Sequence, residues 1–159
     1  MIRYARMTAL WAAAAALVVF ISAACASAPE FSTVMNKDWN LVEIRTKSEN
    51  IIIERDKLAE EGFGDIFTLR FDSERVNGIG APNRYFAPYT LTDKQGITIK
   101  TVAQTLMIAI REPEKLKEHD YFVYLQNTAK WSFTKENLEL YSHGEDGAEA
   151  VLVFVPAGK

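Results

Sequence analysis

The sequence predicts an α+β fold that is mostly β: a small antiparallel sheet of roughly eight strands, curled into a barrel-like form around one packed helix. Three observations predict it. Short alternating apolar segments recur between Gly, Asp, Asn and Lys turns, as in "IFTLRF", "YFAPYTLT" and "KWSFT". One stretch alone, "EHDYFVYLQ", carries apolar residues at helical spacing. The segment "AVLVFVP" is apolar almost throughout, as a central strand is. A sheet of that many strands tends to close on itself, which removes its edges.

The chain has 159 residues, and its beginning reads as a targeting segment. Arg3 and Arg6 precede an uncharged run from Met7 to Ala24, and small residues follow. A basic start, an apolar run and a small-residue exit form a secretory signal. A retained membrane helix is the competing reading; the alanine-rich run is about the minimum length for spanning. Cys25, the single cysteine, stands at the exit behind Ser22, Ala23 and Ala24. This resembles a bacterial lipobox, although Ser22 holds the place where leucine is usual. Lipidation would explain a lone thiol in an exported protein, because no partner exists for a disulfide. Ordinary signal peptidase cleavage after Ala26 is the other reading. The expected division is a signal peptide over 1–24, a lipidated N-terminus and tether over 25–37, and a folded domain over 38–157. Ala26 after the cysteine, rather than aspartate, favours the outer over the inner membrane of a bacterial envelope.

Losing Arg3 and Arg6 with the signal leaves 16 basic against 21 acidic residues, a net charge of −5. No basic stripe exists to neutralise phosphates, so nucleic acid is not an expected partner. With no cysteine beyond Cys25, a disulfide framework, a thiol nucleophile and a thiolate zinc site are excluded from the domain.

The elements follow in order. "DWNLVEIR" reads as a first strand with Trp39 and Leu41 on one face, and Ile51 to Ile53 as a short second one. "RDKLAEEGFGD" is either a single helical turn capped by Asp56 and ended by Gly62, or a polar loop. Ile66 to Phe71 is a strand with Phe67, Leu69 and Phe71 on one face, and "DSER" turns the chain into Arg75 to Gly80. Tyr85 to Thr92 alternates Tyr85, Ala87 and Tyr89 against Phe86, Pro88 and Thr90; "DKQG" returns it through Ile97 to Lys100. Glu112-Pro113 starts the helix, which runs to about Gln126 with Tyr121, Phe122 and Leu125 inward. Strands then resume around Trp131 and Phe133, Leu138 and Leu140, and residues 150–156.

Between two strands lies "GIGAPNRYFAPY". Gly78 and Gly80 permit a bulge or close backbone approach, Pro82 suits a corner, and the Asn83 amide suits orphan backbone groups. Tyr85 and Tyr89 re-enter the sheet on one face. Arg84 is the residue of this corner best suited to a functional role.

These residues carry a resemblance. Trp39-Asn40-Leu41, the run from Gly80 through Asn83, Arg84 and Tyr85 to Tyr89, the segment Thr105-Leu106-Met107-Ile108-Ala109, and Glu118-x-x-Tyr121-Phe122-x-x-Leu125 together resemble the META domain family of HslJ-type envelope proteins. Leu138-Glu139-Leu140 and Val153-Phe154 match its closing strands. The resemblance implies a mainly structural role for Trp39, Gly80, Asn83, Arg84, Tyr85, Tyr89, Thr105, Met107 and Glu118. Of function it implies heat-shock and motility or secretion associations. Two positions where many members carry cysteine hold Pro82 and Ala109, so the fold here does without any crosslink between them.

Residues for chemistry are sparse. His119 and His143 are the only histidines, and no hydrolase, zinc-protease or phosphate-loop motif occurs. "HGEDGAE" reads as an acidic turn rather than a calcium loop. Glu112, Glu114 and Glu118 favour a helix start. No cofactor, metal or catalytic set is expected. Three classes remain: an envelope-anchored, non-catalytic domain that contacts a protein partner, a lipocalin-like carrier of a small apolar ligand, and an enzyme whose residues converge from afar. The first is the expectation, with the membrane contacted through the lipid on Cys25.

Overall fold

A computed structural model describes residues 30–158. The signal segment and Cys25 lie outside the described residues. Ten strands and two α-helices follow a short 3-10 turn at Phe31–Thr33: β1 (Trp39–Thr46), β2 (Asn50–Ile52), α1 (Arg55–Glu60), β3 (Thr68–Phe71), β4 (Arg75–Ile79), β5 (Arg84–Thr92), β6 (Gly96–Ile99), β7 (Ala103–Gln104), α2 (Glu118–Gln126), β8 (Lys130–Thr134), β9 (Asn137–His143) and β10 (Glu149–Pro156).

Eight strands close into an antiparallel barrel in the order β10-β9-β8-β6-β5-β4-β3-β1, and β1 returns to pair with β10 from Trp39↔Pro156 to Thr46↔Ala150. The two remaining strands are short riders: β2 pairs with the far half of β1, and β7 with the first half of β5. β5 therefore bends between two neighbours. Tyr85 and Phe86 face β7, whereas Tyr89 to Thr92 face β6. The thinnest seam is β6 to β8, with one bridged pair, Gly96↔Lys130, flanked by Ile97 N–H to Ala129 O and Trp131 N–H to Gln95 O.

The period-two pattern fills the barrel. Trp39, Leu41, Phe71, Leu138 and Leu140 are buried inside while their sequence neighbours are more exposed, and in β10 Leu152, Val153 and Phe154 are all buried. α2 plugs one end with Tyr121, Phe122 and Leu125, the three residues expected inward. The interior is aromatic and interlocked: Phe31 packs edge-on to Phe71 and to Trp131, each with centroids 5.0 Å apart. Such edge-to-face pairs satisfy the ring quadrupoles.

Several boundaries differ from expectation. The helix begins at Glu118, not at Glu112-Pro113, because Pro113 and Leu116 are buried beside α1 and the chain over 112–117 takes an irregular path with a bend at Glu114 and Lys115 rather than a helical turn. Phe31 and Val34, expected in the tether, are buried in the core, and the Trp39 indole donates to Val34 O at 3.0 Å. The stretch over 55–60 is a helix; Gly62, at φ +84°, follows its end, and Glu54 rather than Asp56 occupies the N-cap. β3 begins at Thr68, because Phe67 adopts φ +53° while its ring stays fully buried.

Candidate functional site

The corner between β4 and β5 is built by its own backbone and held by side chains from two distant segments. Gly80 N–H donates to Asn83 O at 2.6 Å across a turn whose Ala81–Pro82 peptide is cis. Two further N–H groups of this turn point at the first residue of α2. Glu118 Oε1 accepts from Ala81 N–H at 2.5 Å and from Asn83 N–H at 2.7 Å, and Oε2 accepts from the Asn83 amide at 2.7 Å. Gly80 makes room for this: a Cβ there would lie 2.5 Å from Glu118 Oε1 and 2.6 Å from the Phe122 ring.

Asn83 faces the other way as well. Its Oδ1 accepts from the Thr105 hydroxyl at 2.8 Å and from Met107 N–H at 2.7 Å, and its Nδ2 donates to Met107 O at 3.3 Å. The buried amide thus stands in for one more residue of β5, pairing with the chain that continues β7. Gly80, Asn83, Thr105, Met107 and Glu118 form one assembly. Among the described residues no buried side-chain polar atom lacks a partner.

Behind this assembly sits a buried hydroxyl pair. Tyr85 and Tyr121 lie 3.1 Å apart through their oxygens, and both donate to Thr68 O, at 2.9 and 3.0 Å. Burial pushes both phenols above their ordinary range. Gly78 sets this approach too, since a Cβ there would collide with Thr68 O at 2.1 Å. Sequence reasoning placed Tyr121 in the core without foreseeing that it shares Thr68 O with Tyr85. Its position three residues after Glu118 put both on one helix face, which was the signal available.

The remaining expected residues stand apart. Trp39 is in the core. Tyr89 donates to Asp72 O at 2.7 Å, and its ring lies against Phe31 and Phe71. Arg84 is exposed; its backbone N–H binds Thr105 Oγ1 at 3.2 Å, and the residue lines an outer cleft of about 480 Å³ with Arg70, Arg75, Asn77 and Phe86. Two of the three arginines there are engaged, Arg70 on Asp38 at 3.1 Å and Arg75 on Asp72 at 3.6 Å. Arg75 also lies over the Phe86 ring at 5.6 Å.

Chemistry-bearing groups elsewhere do not converge. His119 Nε2 meets Glu145 Oε1 at 2.7 Å in the open, and His143 turns to its neighbour's carbonyl. Among the described residues no His, Cys, Asp and Glu group is arranged to hold a metal. The small hollow under α1, near Pro113 and Phe67, has about 30 Å³, space for a water molecule.

The conspicuous surface feature escaped the sequence reading. Leu106, Ile108 and Ile110 are 92%, 91% and 103% exposed, and Met107 is 58% exposed. They follow β7 directly, on the outer side of the Asn83 assembly.

A family model for the META domain matches residues 32–158. No curated protein matches this chain. Two solved structures share its fold. One is an NMR structure of a protein from Burkholderia xenovorans, with a TM-score of 0.58 and 16% identity over 80% of this chain and 86% of that one. The other is a crystal structure of a DUF4847 family protein from Bacteroides vulgatus, with a TM-score of 0.51 and 14% identity over 78% of this chain and 94% of that one. With the Gly80–Asn83 corner bracketed by Thr105, Met107 and Glu118 inside a closed barrel, the chain belongs to the META domain family.

Proposed function

We propose that this protein is a non-catalytic META-domain lipoprotein of the bacterial envelope, anchored through lipid on Cys25, that acts by contacting a protein partner. One observation carries the reading. The side chains of Asn83, Thr105 and Glu118 are spent on one another and on backbone, and of the signature's charged groups only Arg84 stays in the open, while aliphatic side chains just outside stand in solvent. Catalysis asks the reverse: polar groups held open toward a cleft. A contiguous exposed apolar row marks an interaction site.

The carrier reading gains nothing from the interior. Trp39, Phe67, Phe71, Tyr121 and Phe154 fill it with at most 1% exposure, and a barrel of eight strands has room for side chains or for one small ligand, not both. Two acyl chains or more on Cys25 give stable anchoring, at about 0.8 kcal/mol for each buried methylene.

Two measurements test the proposal. Mass analysis of the processed N-terminus is expected to show acyl chains on Cys25; a free thiol there, or a chain beginning at Ser27, overturns the anchor. A photo-crosslinking amino acid at Ile110 in the full chain is expected to give a discrete protein adduct in intact cells. A chain that stays at its own mass overturns the contact.

A further inference from the structure

We propose that the segment 105–111 is a pairing edge that joins two copies of this chain in an antiparallel, two-fold arrangement centred on Ile108. The inference deepens the protein-contact reading and rests on it.

The hydrogen bonds define the edge. Thr105 N–H reaches Arg84 O, and Met107 uses both its N–H and its C=O on the Asn83 amide. Thr105 and Met107 therefore turn their backbone toward β5, and Ala109 beyond them has no backbone partner among the described residues. Leu106, Ile108 and Ile110 alternate with them, and their backbone groups have no partner among the described residues. The side chains of these same three residues are the most exposed apolar ones described. A free backbone edge beneath a row of aliphatic side chains at period two is the geometry of strand addition.

A second copy satisfies this edge in a specific register. Antiparallel pairing about Ile108 sets Ile108 opposite its own counterpart and Leu106 opposite Ile110. The central Ile108 pair exchanges hydrogen bonds, and Ile110, where the chain bends, ends the paired stretch with its side chain against Leu106 of the other copy. The three side chains of one copy then adjoin the three of the other on one face of the joined sheet. Charge does not oppose the pairing. Residues 102–110 carry no charge. Arg111 falls opposite Thr105 and is already drawn back, its guanidinium 4.9 Å from the Phe63 ring centroid and bonded to Glu61 O. Such self-complementarity is what a two-fold contact requires.

The extent of the contact sets its strength. Six aliphatic side chains leaving water remove roughly 400–700 Å². With Met107 and the backbones added, the contact lies at the small end of specific interfaces, under about 1,200 Å². The dimer is therefore concentration-dependent rather than obligate. The bilayer is a poorer occupant. The chain enters the barrel at Phe31, beside Tyr89, and β5 carries Arg84 about 17 Å from Tyr89. A lipid on Cys25 would hold the Phe31 end toward the membrane and the apolar row away from it.

The test uses the full chain. Under mild oxidation in intact cells, Ile108→Cys alone is expected to give a disulfide-linked dimer, since hydrogen-bonded antiparallel partners lie about 5.5 Å apart at Cα. Leu106→Cys alone is expected to stay monomeric, as does the unaltered chain with its single Cys25. In sedimentation, Leu106→Asp is expected to weaken association at least tenfold. Leu106→Asp with Ile110→Lys in one chain is expected to restore it, because each aspartate then meets the other copy's lysine. No Ile108→Cys dimer, or no rescue by the double variant, overturns the self-pairing. The photo-crosslink at Ile110 separates the two readings. An adduct of twice the chain mass supports both, and an adduct of any other mass overturns self-pairing while the protein-contact reading stands. All altered side chains are exposed, so their replacement leaves the core intact.

Discussion

Glu118 shows how one side chain at a helix start can determine a corner 35 residues away in the chain. Its carboxylate gathers two backbone N–H groups and one amide. Glu118→Ala leaves all three donors without that acceptor and is expected to cost about 2–4 kcal/mol in urea denaturation. Gly80→Ala is expected to cost 1–3 kcal/mol, roughly the penalty of overpacking, because the new methyl meets that carboxylate and the Phe122 ring. The two changes touch, so their effects are expected to be non-additive in a double-mutant cycle. The buried phenols give a pH signature. Tyr85 and Tyr121 have raised values in the fold through burial. The folded state therefore favours their neutral form, and its stability is complete below the ordinary phenol value near 10. It falls as pH rises beyond that point. Ultraviolet titration is expected to show both ionising only together with unfolding, and Tyr121→Phe is expected to lessen the alkaline slope.

At the scale of elements, turns are where local preference and fold disagree. The β5–β6 hairpin places Lys94 and Gln95 at φ +60° and +64°, a conformation that asparagine and glycine adopt at lower cost. Lys94→Asn with Gln95→Gly is expected to raise stability by about 0.5–1 kcal/mol, read as a higher urea midpoint with unchanged slope. The β3–β4 turn is better matched to its sequence. Asp72 Oδ1 accepts from Glu74 N–H at 2.9 Å and Arg75 N–H at 2.8 Å. The Glu74 bond first, then the Arg75 bond, holds its carboxyl below the usual range. Its stabilisation is present above the unfolded value near 4 and is lost as pH falls through the folded one. The gap in thermal midpoint between the native chain and Asp72→Asn is therefore expected to shrink from pH 6 toward pH 2. The helix start failed for a related reason. Pro113 favours a first helical turn locally, but burying Pro113 and Leu116 beside α1 wins, and the chain reaches Glu118 before it coils.

Over the whole molecule, closure of the barrel decides what is left outside. β1 and β10 seal one seam along most of their length, and α2 covers the end where β6 and β8 meet by a single pair. Among the described strands the riders β2 and β7 have a neighbour on one side alone. β7 leads into the apolar row, so one of the two open edges coincides with the most exposed aliphatic side chains.

Much of this was legible from residues alone. Period-two apolar segments depend on neighbours in sequence, so the strands, the inward residues and the mostly β class could be read directly. The corner at Gly80 to Asn83 announced itself through glycine and proline, whose backbone limits are intrinsic. What the sequence could not supply were meetings between distant segments. That Glu118 closes the Gly80–Asn83 turn, that Asn83 extends β5 toward Met107, and that Tyr85 and Tyr121 share Thr68 O depend on how a closed sheet brings residues 68, 83, 107 and 118 to one end. The exposure of Leu106, Ile108 and Ile110 is of the same kind. Hydrophobicity is written in the side chain, but burial is decided by whatever else the chain places against it, and among the described residues nothing covers these three.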